Sequence, residues 1–382
     1  MKYSILELKL SIKRMKTLNA ELEEVIYPEP NQMLFGIARP KLWLYNVTKE
    51  PKKEKGLRHW LKYKMGAKPV LMESTNPDRI EKLMINRLYN NGHFRAKVSY
   101  EIKRKEAKKT AKVLYTVELD QAYQIDSIFY PQAQTELELR INQLGEDKLI
   151  KSGDYYNLEQ LKAERDRISD LLRNDGFYYF EPNFLFFQVD SNLGNRKVNV
   201  YLNIKKNIKK DYLSIKELGE IYLYPNFDLR NSESNAASDT IHLNGTNYLM
   251  LDSSIRPDIV SQTIALKSGT NYSKKAHDNT INRLTGLGVF QFVNIKYSLD
   301  SSSNKLIPHI ELTPNIKKSI RLEILGTTKS NGFTGPGFRA SLQDRNMFKG
   351  AEMFSINIEG GYETQLSSST SGLNSYEFGI NT

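Results

Sequence analysis

The chain contains no cysteine. That absence removes a disulfide framework, a thiolate nucleophile, a cysteine-ligated metal and a lipidation cysteine from these 382 residues. No apolar run approaches the length of a membrane helix. Histidine is scarce: the five, His59, His93, His242, His277 and His309, are scattered and show no metal-ligand spacing such as H-E-x-x-H. There is no glycine-rich phosphate loop and no nucleophile elbow. Glu23-Glu24 reads as a pair on the surface of a helix. An enzyme is therefore not expected, and neither is a metal, a cofactor or a small-molecule substrate. The opening residues, MKYSILELKLSIKRMKTL, alternate like a strand and lack a continuous apolar segment before a small-residue cleavage site, so no signal peptide is expected there.

What the chain has in excess is positive charge. Fifty-five Lys and Arg face 44 Asp and Glu, a net charge of +11, with a pI near 9.3 and a mean hydropathy of −0.54. Such a balance fits nucleic acid, but a solvated basic surface or an anionic membrane nearby more often accounts for it. The length predicts two to four domains.

The second abundance is repetition. Ile85-Asn86-Arg87-Leu88 and Ile281-Asn282-Arg283-Leu284 are the same four letters. In both places a glycine follows the Leu at the fourth position (Gly92, Gly288), and a Phe comes two later (Phe94, Phe290). Leu172, Gly176 and Tyr178 form a looser third copy. A glycine just past a helix end takes the left-handed conformation that satisfies the last carbonyls at little steric cost. The chain then turns into a strand: after Gly92, Phe94, Ala96, Val98, Tyr100 and Ile102 share one face and polar residues the other. A second motif leads into the preceding helix, as KSGDYYN at Lys151 to Asn157 and KSGTNYS at Lys267 to Ser273. Three copies point to internal repeats.

Taken in order, each module reads strand, helix, helix, strand, strand. The first is expected as a strand from Tyr3 to Ile12, a short helix from Asn19 to Ile26, a helix from Pro77 to Asn91, the strand after Gly92, and a return strand through Val113, Tyr115, Val117 and Leu119. Between its helices lies an insertion, Gln32 to Lys68, with Trp43, Trp60 and the basic run KEPKKEKGLRHWLKYKMGAK. That insertion suits either a membrane- or partner-facing role or a solvated loop whose tryptophans pack on a neighbouring domain. The second module has strands at Ala122 to Phe129, Tyr178 to Val189 and Lys197 to Ile204, with a short helix at Thr135 to Leu144 and a longer one ending at Gly176. The third has a strand near Ile215 to Leu223, a polar insertion from Asp228 to Asp239, a helix opened by Pro257, and strands reaching Leu299 and Leu312. A change of phase between Phe292 and Val293 predicts a bulge. Beyond Pro314 the pattern becomes long alternating strands, Ile320, Leu322 and Ile324 in one and Phe354, Ile356 and Ile358 in another, with an Asn331-Gly332 turn between strands. Such strands fit an outer-membrane barrel wall or a soluble meander.

This order, with Gly92-His93-Phe94, Gly176-Phe177-Tyr178 and Gly288-Val289-Phe290 starting the second strand and Tyr156 and Tyr272 leading the second helix, resembles the polypeptide-transport-associated (POTRA) repeat. The first module departs from it, with Lys68-Pro69 where the Tyr would fall. Gly335-Pro336-Gly337 followed by Asp344-Arg345-Asn346 and Gly350 resembles the first barrel strands of the BamA/TamA-like outer-membrane assembly family, nearest its TamA-like, lipoprotein-type branch. The implied fold is α+β: three tandem POTRA-type modules (1–120 with the insertion at 32–68, 121–208, 209–315) and, from 316 to 382, the first antiparallel strands of a transmembrane β-barrel. An open edge in lipid leaves backbone groups unpaired at several kcal/mol each, and only about three or four strands fit here, so a truncated barrel and a fragment of a longer protein are expected.

The resemblance implies an outer-membrane location with the repeats in the periplasm. It also implies unfolded outer-membrane proteins as clients, a TamB-like periplasm-spanning partner and contact with outer-membrane lipid. Clients would add a strand to the exposed edge after each glycine, at Phe94, Ala96 and Val98, at Tyr178 and Phe180, and at Phe290, Phe292 and Ile295. Two alternatives stand beside this reading. One is a two-partner secretion transporter of the same superfamily, which carries two such repeats. The other is a basic nucleic-acid-binding tandem module using Lys103 to Lys112 and Lys205 to Lys210; no nucleic acid is expected, because those lysines fall at hairpin tips and linkers.

Overall fold

The computed structural model describes residues 2–5, 12–34, 38–108, 110–144, 147–227, 239–250, 255–330, 332–365 and 374–382. Leu6, Leu8, Leu10, Asn331 and nearly all of the polar insertion from Asp228 lie outside them. The chain is a mixed α+β protein whose contacts divide it into two units. The first comprises Met1–Gln132, Gly145–Asp166 and Leu185–Ile204; the second comprises Ala133–Leu144, Arg167–Phe184 and Lys205–Thr382.

In the first unit, β1 (Lys2–Ile5) pairs parallel with β3 (Thr110–Leu119), and β3 pairs antiparallel with β2 (Lys97–Lys105). Two helices, α1 (Ile12–Glu24) and α4 (Pro77–Asn90), supply Leu18, Leu22, Ile80, Met84 and Leu88 to a core shared with Val98, Tyr115, Val117 and Leu119. The spacing explains α4. Ile80, Met84 and Leu88 recur at four-residue steps and so share one face, Pro77 fits the first turn, and Asn76 caps it by accepting from the Arg79 N–H at 3.0 Å. Each such apolar side chain contributes about 1.5–3 kcal/mol on burial. The opening of the chain departs from the expected long strand: Ile12 begins a helix. Its alternation merges into helical spacing at Met15, Leu18 and Leu22, which period-two reading does not separate.

The insertion is helical rather than loop-like, with α2 (Pro40–Val47) and α3 (Leu57–His59), which continues into a π-helical turn, Trp60–Met65. The same unit holds a second sheet, β4 (Gln124–Phe129), β6 (Lys197–Ile204) and β5 (Leu185–Asp190), in the order β4-β6-β5. Its core is Tyr123, Ile125, Ile150, Tyr156, Leu161, Val198 and Val200. α6 (Leu158–Asn174) begins in this unit and ends in the second, to which α5 (Glu136–Gln143), opened by a Thr135/Glu138 capping box, belongs.

In the second unit, β7 (Ile221–Tyr224), β11 (Leu306–Pro314) and β10 (Phe290–Leu299) repeat the same parallel-then-antiparallel pairing. A hairpin, β8 (Asp239–Leu243) and β9 (Thr246–Met250), extends this sheet on the β7 side, giving β10-β11-β7-β9-β8. The core draws Val260 from α7 (Pro257–Thr263) and Leu284 from α8 (Lys274–Gly286). The bulge falls between Phe290 and Phe292, one step before the expected place, and leaves Phe292 outward and exposed.

The last four strands, β12 (Lys318–Thr328), β13 (Phe333–Arg345), β14 (Met353–Gln365) and β15 (Asn374–Asn381), form an antiparallel meander. Thirteen residues in each of β13 and β14 exceed the roughly 9–11 that a tilted strand needs to cross a bilayer.

Candidate polypeptide-binding edges and an uncovered apolar sheet

The three glycine motifs build the same local structure up to a point. Gly92, Gly176 and Gly288 have φ of +83°, +109° and +71°. The Leu four residues before each, Leu88, Leu172 and Leu284, is fully buried. After Gly92 and Gly176 the chain makes a tight turn, with Ala96 N–H donating to the His93 carbonyl and Phe180 N–H to the Phe177 carbonyl. The strands therefore begin later than expected, at Lys97 and Leu185, and only the third starts at Phe290.

The reason is that the residue two past the first and second glycines is used in a joint rather than a strand. Gly92 accepts from the Tyr123 N–H (2.9 Å), and Tyr123 in turn accepts from the Tyr156 N–H (2.9 Å). Phe94 packs its ring 4.8 Å from Tyr123 and 5.0 Å from Tyr156. The second joint repeats this atom for atom: Gly176 accepts from Lys216 N–H (2.9 Å), and Lys216 accepts from Tyr272 N–H (2.8 Å). Tyr178 packs 4.9 Å from Tyr272 and 5.0 Å from Tyr297. A glycine motif and the tyrosine of a later K-S-G motif are thus two halves of one contact. Both motifs are visible in the sequence, but their meeting is not, because each glycine and its tyrosine lie more than sixty residues apart.

The K-S-G motifs have a second task. Gly153 N–H donates to Ile125 O and Ile125 N–H to Asp154 O, both at 2.8 Å; Gly269 N–H donates to Leu218 O and Leu218 N–H to Thr270 O, again at 2.8 Å. The first motif therefore covers the free side of β4, where a bare margin would otherwise invite pairing, and the second binds Leu218, just before β7 begins. In the third sheet the β8–β9 hairpin covers that side further along. The opposite margins, β2, β5 and β10, end their sheets.

Side chains on these margins are placed as follows. Val98, Phe180, Phe290 and Ile295 are buried, Ala96 is partly buried against the first core, Phe94 and Tyr178 sit in the joints, and Phe292 is 53% exposed. Of the residues singled out in sequence, Phe94, Ala96, Tyr178 and Phe180 precede their strands. What β2, β5 and β10 present along their outer margins is main chain, with Phe292 beside it.

Burial at the joints favours the neutral forms of the imidazoles and phenols. Burial, helped by Arg14, holds the His93 imidazole below its ordinary range, and its Nδ1 lies 2.8 Å from the Asp120 carbonyl. His277, held low by burial, contacts the Tyr297 hydroxyl at 2.9 Å, and burial pushes the Tyr178, Tyr272 and Tyr297 hydroxyls up. Lys216 is fully enclosed, with its ammonium bonded to Asp211 and, at 2.8 Å, to Asn304 Oδ1.

The four-stranded sheet has two unlike faces. Cross-strand register puts Ile320 beside Leu342, Ile324 beside Phe338, Ile358 beside Ile380, and Tyr362 beside Tyr376. That face is bare: Ile320, Leu322 and Ile324 are 72%, 78% and 91% exposed, Phe378 70% and Tyr376 81%. The other face carries ion pairs, Arg339 with Glu359 (2.8 Å) and Lys329 with Glu363 (2.8 Å). The Gly335-Pro336-Gly337 run lies in β13, where the Tyr362 backbone comes so close to Gly335 that no Cβ fits. Asp344 and Arg345 end that strand, and Arg345 N–H donates to Lys317 O at 2.7 Å. Asn346 (φ +70°) opens the following turn, where Ala351 N–H donates to its Oδ1 and Gly350 N–H to Glu352. That turn anchors the sheet: Arg256 N–H donates to Lys349 O at 2.9 Å, and Ala351 packs on the core of the third repeat.

No protein-family model and no curated protein sequence matches this chain. Among solved structures it is similar to BamA from Haemophilus ducreyi lacking POTRA domains 1–3, with 12% identity and a TM-score of 0.40 over 63% of this chain. It spans 39% of the length of that structure. It is also similar to POTRA domains 3–5 of Haemophilus influenzae BamA (11% identity, TM-score 0.37, 80% of this chain and 91% of that one). CdiB from Acinetobacter baumannii is a third (11%, TM-score 0.30, 63% and 40%).

Proposed function

We propose that this chain is the periplasmic and barrel-proximal part of a BamA/TamA-like outer-membrane protein assembly or secretion factor. It would comprise three POTRA-type modules, 1–120, 121–208 and 209–315, and the first barrel strands from 316 onward. One observation carries the reading: the final sheet leaves a continuous apolar face uncovered while its other face is laced with ion pairs. A water-soluble sheet hides its apolar face; the inverse arrangement suits lipid outside and a polar lumen inside. The margins β2, β5 and β10 then serve unfolded barrel precursors by strand addition, in which main-chain pairing tolerates many client sequences. A TamB-like periplasm-spanning protein is proposed as a further partner.

The test places a photo-crosslinking amino acid at Phe292, on the exposed margin, and at Ile241 in β8, on the far side of the same sheet. An unfolded outer-membrane barrel segment is expected to crosslink at Phe292 and not at Ile241. Equal labelling at both positions, or labelling only by single-stranded nucleic acid, overturns strand addition at this margin.

A further inference from the structure

The helical insertion of the first repeat has no part in the joints or the margins, yet it holds most of the excess charge. From Arg39 to Lys68 there are ten Lys and Arg against two Glu, +8 of the chain's net +11. Glu50 is already engaged, accepting from Lys62 (2.6 Å) and from the Tyr63 hydroxyl. Lys62 is buried by this arrangement and also donates to Thr48 O. Lys41, Lys49, Lys52, Lys53, Lys55, Arg58, Lys64 and Lys68 remain exposed, and none of them makes an ion pair with another described residue.

The same segment exposes large apolar side chains: Trp43 (64%) and Val47, one turn apart on α2, then Leu57 (71%), Trp60 (49%) and Met65. Isolated exposed apolar residues are ordinary, but five in one short insertion are not. They are held there by a small structure of their own. Tyr45 and Tyr63 pack edge to face at 6.0 Å, Ala67 N–H donates to Lys41 O, and Gly66 lies so close to Lys62 O that a Cβ would stand 2.5 Å from it. The tyrosines and Lys62 form the inside of the insertion, with the Lys68 ammonium 5.7 Å over the Tyr63 ring, which leaves the tryptophans and the other exposed cations outside.

We infer that this insertion docks on an anionic phospholipid bilayer surface. Tryptophan belongs at the headgroup level, where its ring is half in hydrocarbon and its N–H stays wet. Unpaired lysines near such a surface each gain affinity from the negative lipid field. Charge alone also fits nucleic acid, but Val47, Leu57 and Met65 find no counterpart on a phosphate backbone, whereas an interfacial bilayer region accepts them.

The chain reports on this site directly, because Trp43 and Trp60 are its two tryptophans. The 382-residue chain is mixed with phosphatidylcholine vesicles, with and without about a third phosphatidylglycerol, and tryptophan emission and quenching by brominated acyl chains are followed. A blue shift with quenching on the anionic vesicles, lost in high salt, is expected. Lys52→Glu with Lys53→Glu and Lys55→Glu is expected to weaken that response at least about tenfold. Ile320→Asn with Leu322→Asn and Ile324→Asn, which alters only the final sheet, is expected to leave it intact. No shift on anionic vesicles, an equal shift on neutral ones, or a response abolished by the sheet variant but not by the lysine variant overturns the inference. So does a shift produced by single-stranded nucleic acid and not by vesicles.

Discussion

Gly92 shows how much one missing Cβ can decide. Its φ is +83°, and a Cβ there would stand 2.9 Å from the Tyr156 backbone oxygen, which cannot move without opening the joint. Gly153 has a similar φ of +89° but open space around it. Gly92→Ala is therefore expected to cost about 1–3 kcal/mol more than Gly153→Ala in the urea midpoint, since both carry the left-handed strain and only one adds a clash. His93 sets a pH dependence. It is neutral in the fold because burial depresses its pKa, so as pH falls through its ordinary value near 6.5 the unfolded chain takes up a proton that the folded chain refuses. Stability from this source is complete above that pH and declines below it, levelling off beneath the depressed value. His277 and His309 add in the same direction. Denaturation midpoints measured between pH 7.5 and 5 are expected to fall less for His93→Gln than for the parent chain.

At the scale of elements, the aromatic joints are the parts that pure periodicity misassigns. Phe94 and Tyr178 sit where an alternating strand would start, yet they lie before the strand because a tyrosine from the next repeat meets them. Phe94→Ala is expected to destabilise by about 2–4 kcal/mol, and Phe94→Ala with Tyr156→Ala to show a coupling of about 0.5–1.5 kcal/mol in a double-mutant cycle. Additive losses would mean that the rings touch without depending on each other.

For the whole molecule, the uncovered face of β12 to β15 is where the proposed lipid contact is tested. Ile324 is 91% exposed in the described sheet, and burial in hydrocarbon would satisfy it. In a reconstituted bilayer Ile324→Arg is expected to cost about 2–4 kcal/mol, while Asn357→Arg on the opposite face is expected to cost little. The measurement is the denaturant midpoint in vesicles. Equal costs would mean that neither face meets lipid.

The sequence by itself determined the apolar helix faces, the glycine stops after them and the two-faced character of the last strands. These are local properties: periodicity, a left-handed φ and alternation are written within a dozen residues. Only the tertiary structure decided where Phe94 and Tyr178 belong, which margin the first K-S-G loop covers, and that Trp43 and Trp60 stay outside. Each of those depends on a partner far along the chain, or on the lack of one, and hydrogen bonds between distant backbones leave no periodic trace in the letters.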